Sequence, residues 1–381
     1  MTDSVTPHSG TEAAAVLAGA AAERRPVRIA GAGTKLGWGN PVQSDALRLR
    51  TENLSRVQIQ TTNPPTATIG AGTPIAHAQG QFARVGMMLA IDPQLGLGLS
   101  PAATVGGIFA TADSGPLSHA YGPPRDQIIG VTLALSDGKV VHSGSRIEAP
   151  RTGYDLAKLV TGSFGTLGVL LSVEVRLHPL PSLTATAFGS SDDPDLLGRA
   201  AVELAHSLTG MQAFDIAWRA GYGGLLAQFA GPEAHAQAQA AVAAIKASGL
   251  GEADSRIDDS TTWAGQRAGQ RSSDRAVLRV HARRSQLGAV LRLAAEAEAD
   301  VVGRAALGVS YITLNVNRIA AIRAGLPIGS TAVVLDLPQS ARGAVDSWAA
   351  PDEPGLRLMQ DIKQSFDPAG VCNPGVFVGR I

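Results

Sequence analysis

The residues with the clearest chemical potential lie in RIAGAGTKLGWGN, from Arg28 to Asn40. Gly31, Gly33, Gly37 and Gly39 free the backbone of Cβ atoms, and Thr34 and Lys35 add a hydroxyl and an ammonium beside it. Successive N–H groups in such a loop form a nest that can hold a diphosphate without a helix dipole. A tight surface turn would use the same residue types, so the loop alone leaves both readings open. Two other phosphate-binding arrangements fail on spacing. The dinucleotide fingerprint needs G-x-G-x-x-G running straight into a helix, whereas Gly31, Gly33 and Gly37 are spaced G-x-G-x-x-x-G, and Gly39 and Pro41 oppose an immediate helix. A P-loop needs Ser or Thr directly after its lysine, and Leu36 follows Lys35.

Two further glycine clusters, ATVGG at Ala103 to Gly107 and GSFGTLG at Gly162 to Gly168, also let backbone approach a flat or charged ligand closely. Three such clusters in the first half of the chain point to one extended ligand. Acid–base and carboxylate-binding chemistry has its best local candidates in AVLRVHARR. There Arg279, His281 and Arg283 alternate along one strand face, with Leu278 and Val280 on the other. An ordinary exposed polar strand face is the competing explanation. His119 reads as a hydrogen-bonded loop histidine, Trp263 and Tyr311 as core residues, and Cys372 as a small buried hydrophobe.

The elements that must position these residues are legible in outline. A helix from Thr11 to Arg25 precedes a strand at Pro26 to Ala30 and then the first glycine loop. LRLR, VQIQ and TATIGAG read as strands, AHAQGQFARVGM as a short helix ending at Gly86, and LGLGLSPAATVGGIFATADSG as close-packed loop. QIIGVTLALSDGKVVHSG is a hairpin through Ser136-Asp137-Gly138-Lys139, whose Asp-Gly pair tolerates positive φ. Pro179 and Pro181 mark a domain boundary. Beyond them, strands at MQAFDIAW, GLLAQFAG and AVLRVHA and near Val301, Tyr311 and Thr331 alternate with helices near 232–247 and 286–297, the pattern of an α+β domain. The helix in LRLMQDIKQSF is stopped by Asp367-Pro368.

The 381 residues suit two domains. With 32 basic and 32 acidic side chains, no long-range field draws the chain to nucleic acid. The single cysteine excludes an internal disulfide and cannot hold an iron–sulfur cluster or a Cys-rich zinc site, so no metal site is expected. AAAVLAGAAA suits a surface helix better than a signal peptide, and a cytoplasmic protein is expected, with membrane association only through a partner.

The order GAGTK, PAATVGGIFATADSGP, YGPPRDQIIGVTLALSDGKVV, GYDLAKLVTGSFGTLGVL and a terminal FDPAGVCNPG resembles the FAD-binding oxidoreductases of the vanillyl-alcohol oxidase type, nearest to the shorter FAD-binding subunit of bacterial glycolate oxidases. The resemblance implies an α+β fold: a two-part FAD-binding domain with an inserted α+β cap, divided as 1–180, 181–353 and a returning tail at 354–381. It implies non-covalent FAD, with Gly31, Ala32, Gly33, Thr34 and Lys35 at the diphosphate. Pro101, Thr104, Gly106, Gly107, Ser114 and Gly115 would line the ribityl and adenosine path, Gly168 and Val169 would contact the cofactor through backbone, and Asn373 would lie near the isoalloxazine. Where the family shows Lys-Asn before the Gly-Tyr-Asp, this chain has Ala149 and Pro150. It also lacks the His-rich motif, of the H-x-H type, that the larger glycolate oxidase subunit and its relatives carry, which speaks against an independent hydroxy-acid oxidase. The implied function is a subunit oxidising a 2-hydroxy acid beside a larger FAD-binding subunit and an iron–sulfur subunit, with Arg279 and His281 as catalytic candidates. A flavin-free scaffold and a stand-alone FAD oxidase are the alternatives.

Overall fold

A computed structural model describes residues 3–42, 45–95, 103–144, 155–257, 259–348 and 351–381. Ala149, Pro150 and Pro101 therefore lie outside the described residues. The first helix, Gly10–Ala22, begins where the Ser9 hydroxyl accepts the Glu12 N–H at 3.1 Å, and it buries Ala13, Ala14, Leu17 and Ala20. That face packs on a small sheet made of β1 (Ser4–Val5), β2 (Val27–Ala30) and β3 (Leu47–Arg50), ordered β1-β3-β2 with both pairings parallel. The glycine loop leaves directly from the end of β2.

A second sheet is antiparallel. It contains β4 (Val57–Gln60), β5 (Thr66–Gly70), β7 (Ile128–Ala134), β8 (Val140–Gly144) and β9 (Val169–Arg176) in the order β4-β5-β9-β7-β8. β6 (Met87–Met88) pairs separately with β10 (His178–Pro179). β7 and β8 form the hairpin expected at Ser136 to Lys139, yet only Gly138 takes positive φ, at 86°. The Asp137 carboxylate instead accepts the Lys139 N–H at 3.0 Å, so one glycine closes the turn.

The stretch read as close-packed loop holds a helix, Val105–Thr111. Its glycines are tolerated because both ends are fixed. The Thr104 hydroxyl accepts the Gly107 N–H at 3.3 Å, and Ala112 ends the helix in the left-handed region at φ 49°. Val105, Ile108 and Phe109 are fully buried against the second sheet's core, which outweighs the low helix propensity of Gly106 and Gly107.

The remaining strands form one eight-stranded antiparallel sheet. They are β11 (Thr184–Ser191), β12 (Met211–Arg219), β13 (Tyr222–Ala230), β14 (Gly251–Arg256), β15 (Ala276–His281), β16 (Asp300–Arg304), β17 (Val309–Leu314) and β18 (Thr331–Asp336), in the order β14-β11-β13-β12-β16-β17-β15-β18. One face is covered by helices including Pro194–Ser207, Ala234–Ala247 and Leu287–Glu296, and alternate strand residues such as Phe214, Ile216, Leu278 and Val280 fill that core. The opposite face presents Val277, Val302, Tyr311 and Leu335 to Trp38, Phe164 and Val376, making an apolar seam with the first half of the chain. After the helix Glu353–Phe366 the chain returns to β2, where Val27 bridges Cys372 and the Asn373 N–H reaches the Val27 carbonyl at 2.9 Å. Among the described residues no helix is long and apolar enough to cross a membrane.

Candidate functional site

The loop after β2 and the glycine clusters meet around one narrow cavity of about 110 Å³. Its walls include Gly31, Ala32, Gly33, Thr34, Lys35, Thr104, Gly106, Gly107, Gly168 and Asn373, which are ten of the positions implied for the cofactor. Ser114, Gly115 and Val169 lie away from that wall. The Ser114 carbonyl accepts the Tyr311 hydroxyl at 3.4 Å, Gly115 abuts the Asp92 carbonyl, and Val169 is fully buried in the core beneath the first helix.

The chemistry of the cavity resides in the loop backbone. The N–H groups of Gly31, Ala32, Gly33, Thr34 and Lys35 donate to no described residue, so five successive donors await an acceptor. Gly33 holds φ at 78°, which bends the loop into a concavity. At Gly31 a Cβ would meet the Thr104 hydroxyl at 2.1 Å, so only glycine lets the loop lie this close to the capped helix at Val105. Together these features fit a diphosphate held by backbone rather than by a helix dipole.

Lys35 lines the cavity, and its ammonium is held by a carboxylate. It pairs with Asp113 at 3.1 Å, both side chains almost fully buried, and lies 5.6 Å from the Trp38 ring centroid. A second cation, Arg28, also lines the cavity. Its guanidinium donates to the Leu36 carbonyl at 2.8 Å, and burial together with nearby Arg48 and Arg342 lowers its pKa. Sequence reading missed Arg28 because it precedes the loop, although its place on β2 two residues from the end was visible.

Asn373 fixes the floor. Its side-chain oxygen accepts the Ile29 N–H at 2.8 Å, and its amide donates to the Phe164 carbonyl at 2.7 Å, tying the returning tail to β2 and to the third glycine cluster. Cys372 beside it is wholly buried, and burial pushes its thiol far up, so it is inert packing.

Arg279 and His281 do lie on the strand face opposite Leu278 and Val280. Neither lines the loop cavity. Arg279 is half-buried opposite Tyr311 on β17, and its Nε has no partner among the described residues. His281 sits at the exposed end of β15. His119 faces Phe214 of the large sheet edge-on at 6.3 Å, its pKa lowered by burial.

Two carboxylates missed by sequence reading sit at this seam. Asp215 is completely buried and paired with Arg304, and burial, aided by nearby Asp92, pushes its pKa up to about 7. Asp92 accepts the Leu117 N–H at 2.9 Å and faces Arg267 at 3.6 Å, and burial pushes it up to about 6. A second, larger cavity of about 860 Å³ opens on the large sheet, lined by Phe188, Tyr222, Leu226, Val302 and Arg271 among others.

The loop and the returning tail define a known class. Residues 4–144 match the FAD binding domain family, and residues 350–377 match the C-terminal domain of FAD linked oxidases. The chain carries a flavin-binding domain of that type, and FAD is its cofactor.

Curated relatives include a D-lactate dehydrogenase of Archaeoglobus fulgidus, 31% identical over 175 residues, covering 46% of this chain and 38% of that one. Another is the glycolate oxidase subunit GlcE of Escherichia coli K12, 30% identical over 164 residues, covering 42% of this chain and 45% of that one. The matched stretch spans less than half the length of these relatives. A solved alkyldihydroxyacetonephosphate synthase superposes with a TM-score of 0.68 at 14% identity, covering 97% of this chain and 75% of that one, a likeness of fold.

Proposed function

We propose that this chain is an FAD-dependent oxidoreductase subunit that acts on a 2-hydroxy acid within a glycolate oxidase-like assembly containing a larger flavoprotein and an iron–sulfur protein. The observation that carries the reading is the run of five unpartnered N–H groups from Gly31 to Lys35 in a chain similar to subunit GlcE. In this reading residues 1–180 and 354–381 form the cofactor domain and 181–353 the cap.

Oxidising a 2-hydroxy acid to a 2-oxo acid removes two electrons and two protons from the substrate. Bound flavin supplies the electron acceptor. The chain must hold the substrate carboxylate and receive the hydroxyl proton. Arg279 suits the first task, since its Nε lacks a partner and a guanidinium keeps its charge at neutral pH. His281, two positions further on the same face, suits the second. Desolvation and the Arg279 guanidinium lower its pKa, so it is neutral near pH 7, and substrate bound beside it would have to raise its basicity for it to take the proton. The lone cysteine cannot hold an iron–sulfur cluster, so in this reading the iron–sulfur partner receives the electrons.

The deciding experiment is the visible spectrum of the purified protein before and after anaerobic addition of glycolate or D-lactate. Bleaching of a flavin band by either acid is the expected result. A band that neither acid bleaches would reduce the role to electron transfer, and no band even after FAD is added would leave a scaffold. Full turnover by the isolated chain with oxygen would indicate a stand-alone oxidase.

A further inference from the structure

Arg271 follows the helix Ser260–Ala268 of the cap, yet it reaches the cofactor loop. Its Nε donates to Asp336 Oδ2 at 2.7 Å and its Nη2 to Asp336 Oδ1 at 3.0 Å, a two-pronged ion pair with both side chains more than nine-tenths buried. The same Nη2 donates to the Thr34 carbonyl at 3.0 Å. Asp336 also accepts the Trp38 indole N–H at 3.0 Å and the Ser272 N–H at 3.2 Å, while the Arg271 guanidinium lies 4.9 Å from the Trp38 ring centroid. One buried cap pair thus grips the diphosphate loop at two points, Thr34 and Trp38.

We infer that Arg271 and Asp336 are positioning residues for the cofactor: a cap-borne clamp that sets the loop in its diphosphate-binding form without touching the phosphates. The reason lies in the peptide plane. In a trans peptide the carbonyl of Thr34 and the N–H of Lys35 point in opposite directions. By holding the Thr34 carbonyl, Arg271 turns the Lys35 N–H away from the cap, and that N–H has no described partner. A carbonyl facing the ligand would repel a diphosphate, so this single bond decides whether the loop presents a donor or an acceptor.

The clamp acts by geometry rather than by field. Arg271 is neutralised by Asp336, so the pair adds no net charge beside the phosphates. Loss of the whole pair therefore changes how the N–H groups are aimed and leaves the charge of the cradle as it was, whereas Arg271→Met alone adds an unpaired carboxylate and Asp336→Asn alone an unpaired cation, so weaker binding in both variants marks geometry rather than field. Arg271 also lines the 860 Å³ cap cavity, so the clamp is the wall between the large sheet's open face and the cofactor loop.

The test rests on the FAD-binding assignment and uses the full chain. Wild type, Arg271→Met, Arg271→Lys and Asp336→Asn are stripped of flavin, checked for intact fold by circular dichroism and thermal melting, and titrated with FAD while flavin fluorescence is followed. Arg271→Met is expected to weaken FAD binding at least tenfold and to reduce the rise in melting temperature that FAD produces. Arg271→Lys restores charge without spanning both Asp336 and Thr34, so it should recover little. Unchanged FAD affinity in folded Arg271→Met, or full recovery in Arg271→Lys, would overturn the clamp. If Arg271→Met does not fold, Asp336→Asn, which keeps volume and loosens the grip, carries the same expectation and the same refutation. Loss of binding by wild type as well would defeat the cofactor assignment rather than the clamp.

Discussion

Lys35 and Asp113, brought together from two different glycine-rich segments, form a 3.1 Å ion pair in which neither side chain is more than 6% exposed. The pair links the glycine loop after β2 to the residues just beyond the helix Val105–Thr111. Removing one partner leaves a buried charge uncompensated, which costs about 3–5 kcal/mol, whereas removing both with apolar residues is often tolerated. Asp113→Ala should therefore lose stability in that range in urea unfolding, and the double change Lys35→Met with Asp113→Leu should recover most of it. Equal losses in the single and double variants would show that the pair is not what holds these segments together.

The loop itself makes a sharper prediction. Gly33→Asp places a carboxylate against five N–H groups meant for an anion and forces a side chain onto a φ of 78°. The variant should purify without flavin and fail to bind it when FAD is added, while its far-ultraviolet spectrum stays native. Wild-type flavin content would refute the assignment of this loop as the cradle.

Arg279 is expected to act on the substrate and not on the cofactor. Arg279→Ala should keep its flavin yet require roughly ten to a hundred times more 2-hydroxy acid for half-maximal reduction, the cost of losing one charged hydrogen bond. Stopped-flow reduction at a series of substrate concentrations measures this. An unaltered concentration dependence would remove Arg279 from the substrate site.

Asp92 predicts a pH slope. Its folded pKa of about 6 lies above the ordinary carboxylate value, so between about pH 4 and pH 6 the native state holds a proton the unfolded chain has released. Stability therefore falls as pH rises through that window and levels off above it. Asp92→Asn cannot ionise, so its stability relative to wild type should improve by on the order of 2 kcal/mol from pH 4 to pH 7. Parallel pH profiles for the two proteins would contradict this.

The glycine loop after β2 was legible as a close-packed turn because its requirements are local: glycine where Cβ would intrude, directly after a strand signalled by a short apolar run. β12, β13 and β15 were equally plain, since apolar residues make up most of each. By contrast β14, GEADSR, lies at the edge of the large sheet with no apolar alternation, and only its pairing with β11 makes it a strand. The helix Val105–Thr111 was hidden by its own glycines, whose cost is offset by packing that no local pattern reveals. Asp215, Asp92 and Arg271 escaped notice for a related reason. Each sits in an unremarkable stretch and gains its role only when the seam brings partners from distant segments, as Asp336 does for Arg271 across 65 positions.

The brace supplied by Asn373 bears on how the protein is made. The Ile29 N–H and the Asn373 side chain that accepts it are 344 positions apart. At a synthesis rate of about 5–20 residues per second, roughly 20–70 s separate the emergence of the loop from that of its brace. A chain synthesised only as far as the loop thus carries an unfinished cradle, and translation through residue 373 sets the earliest moment at which the brace can close.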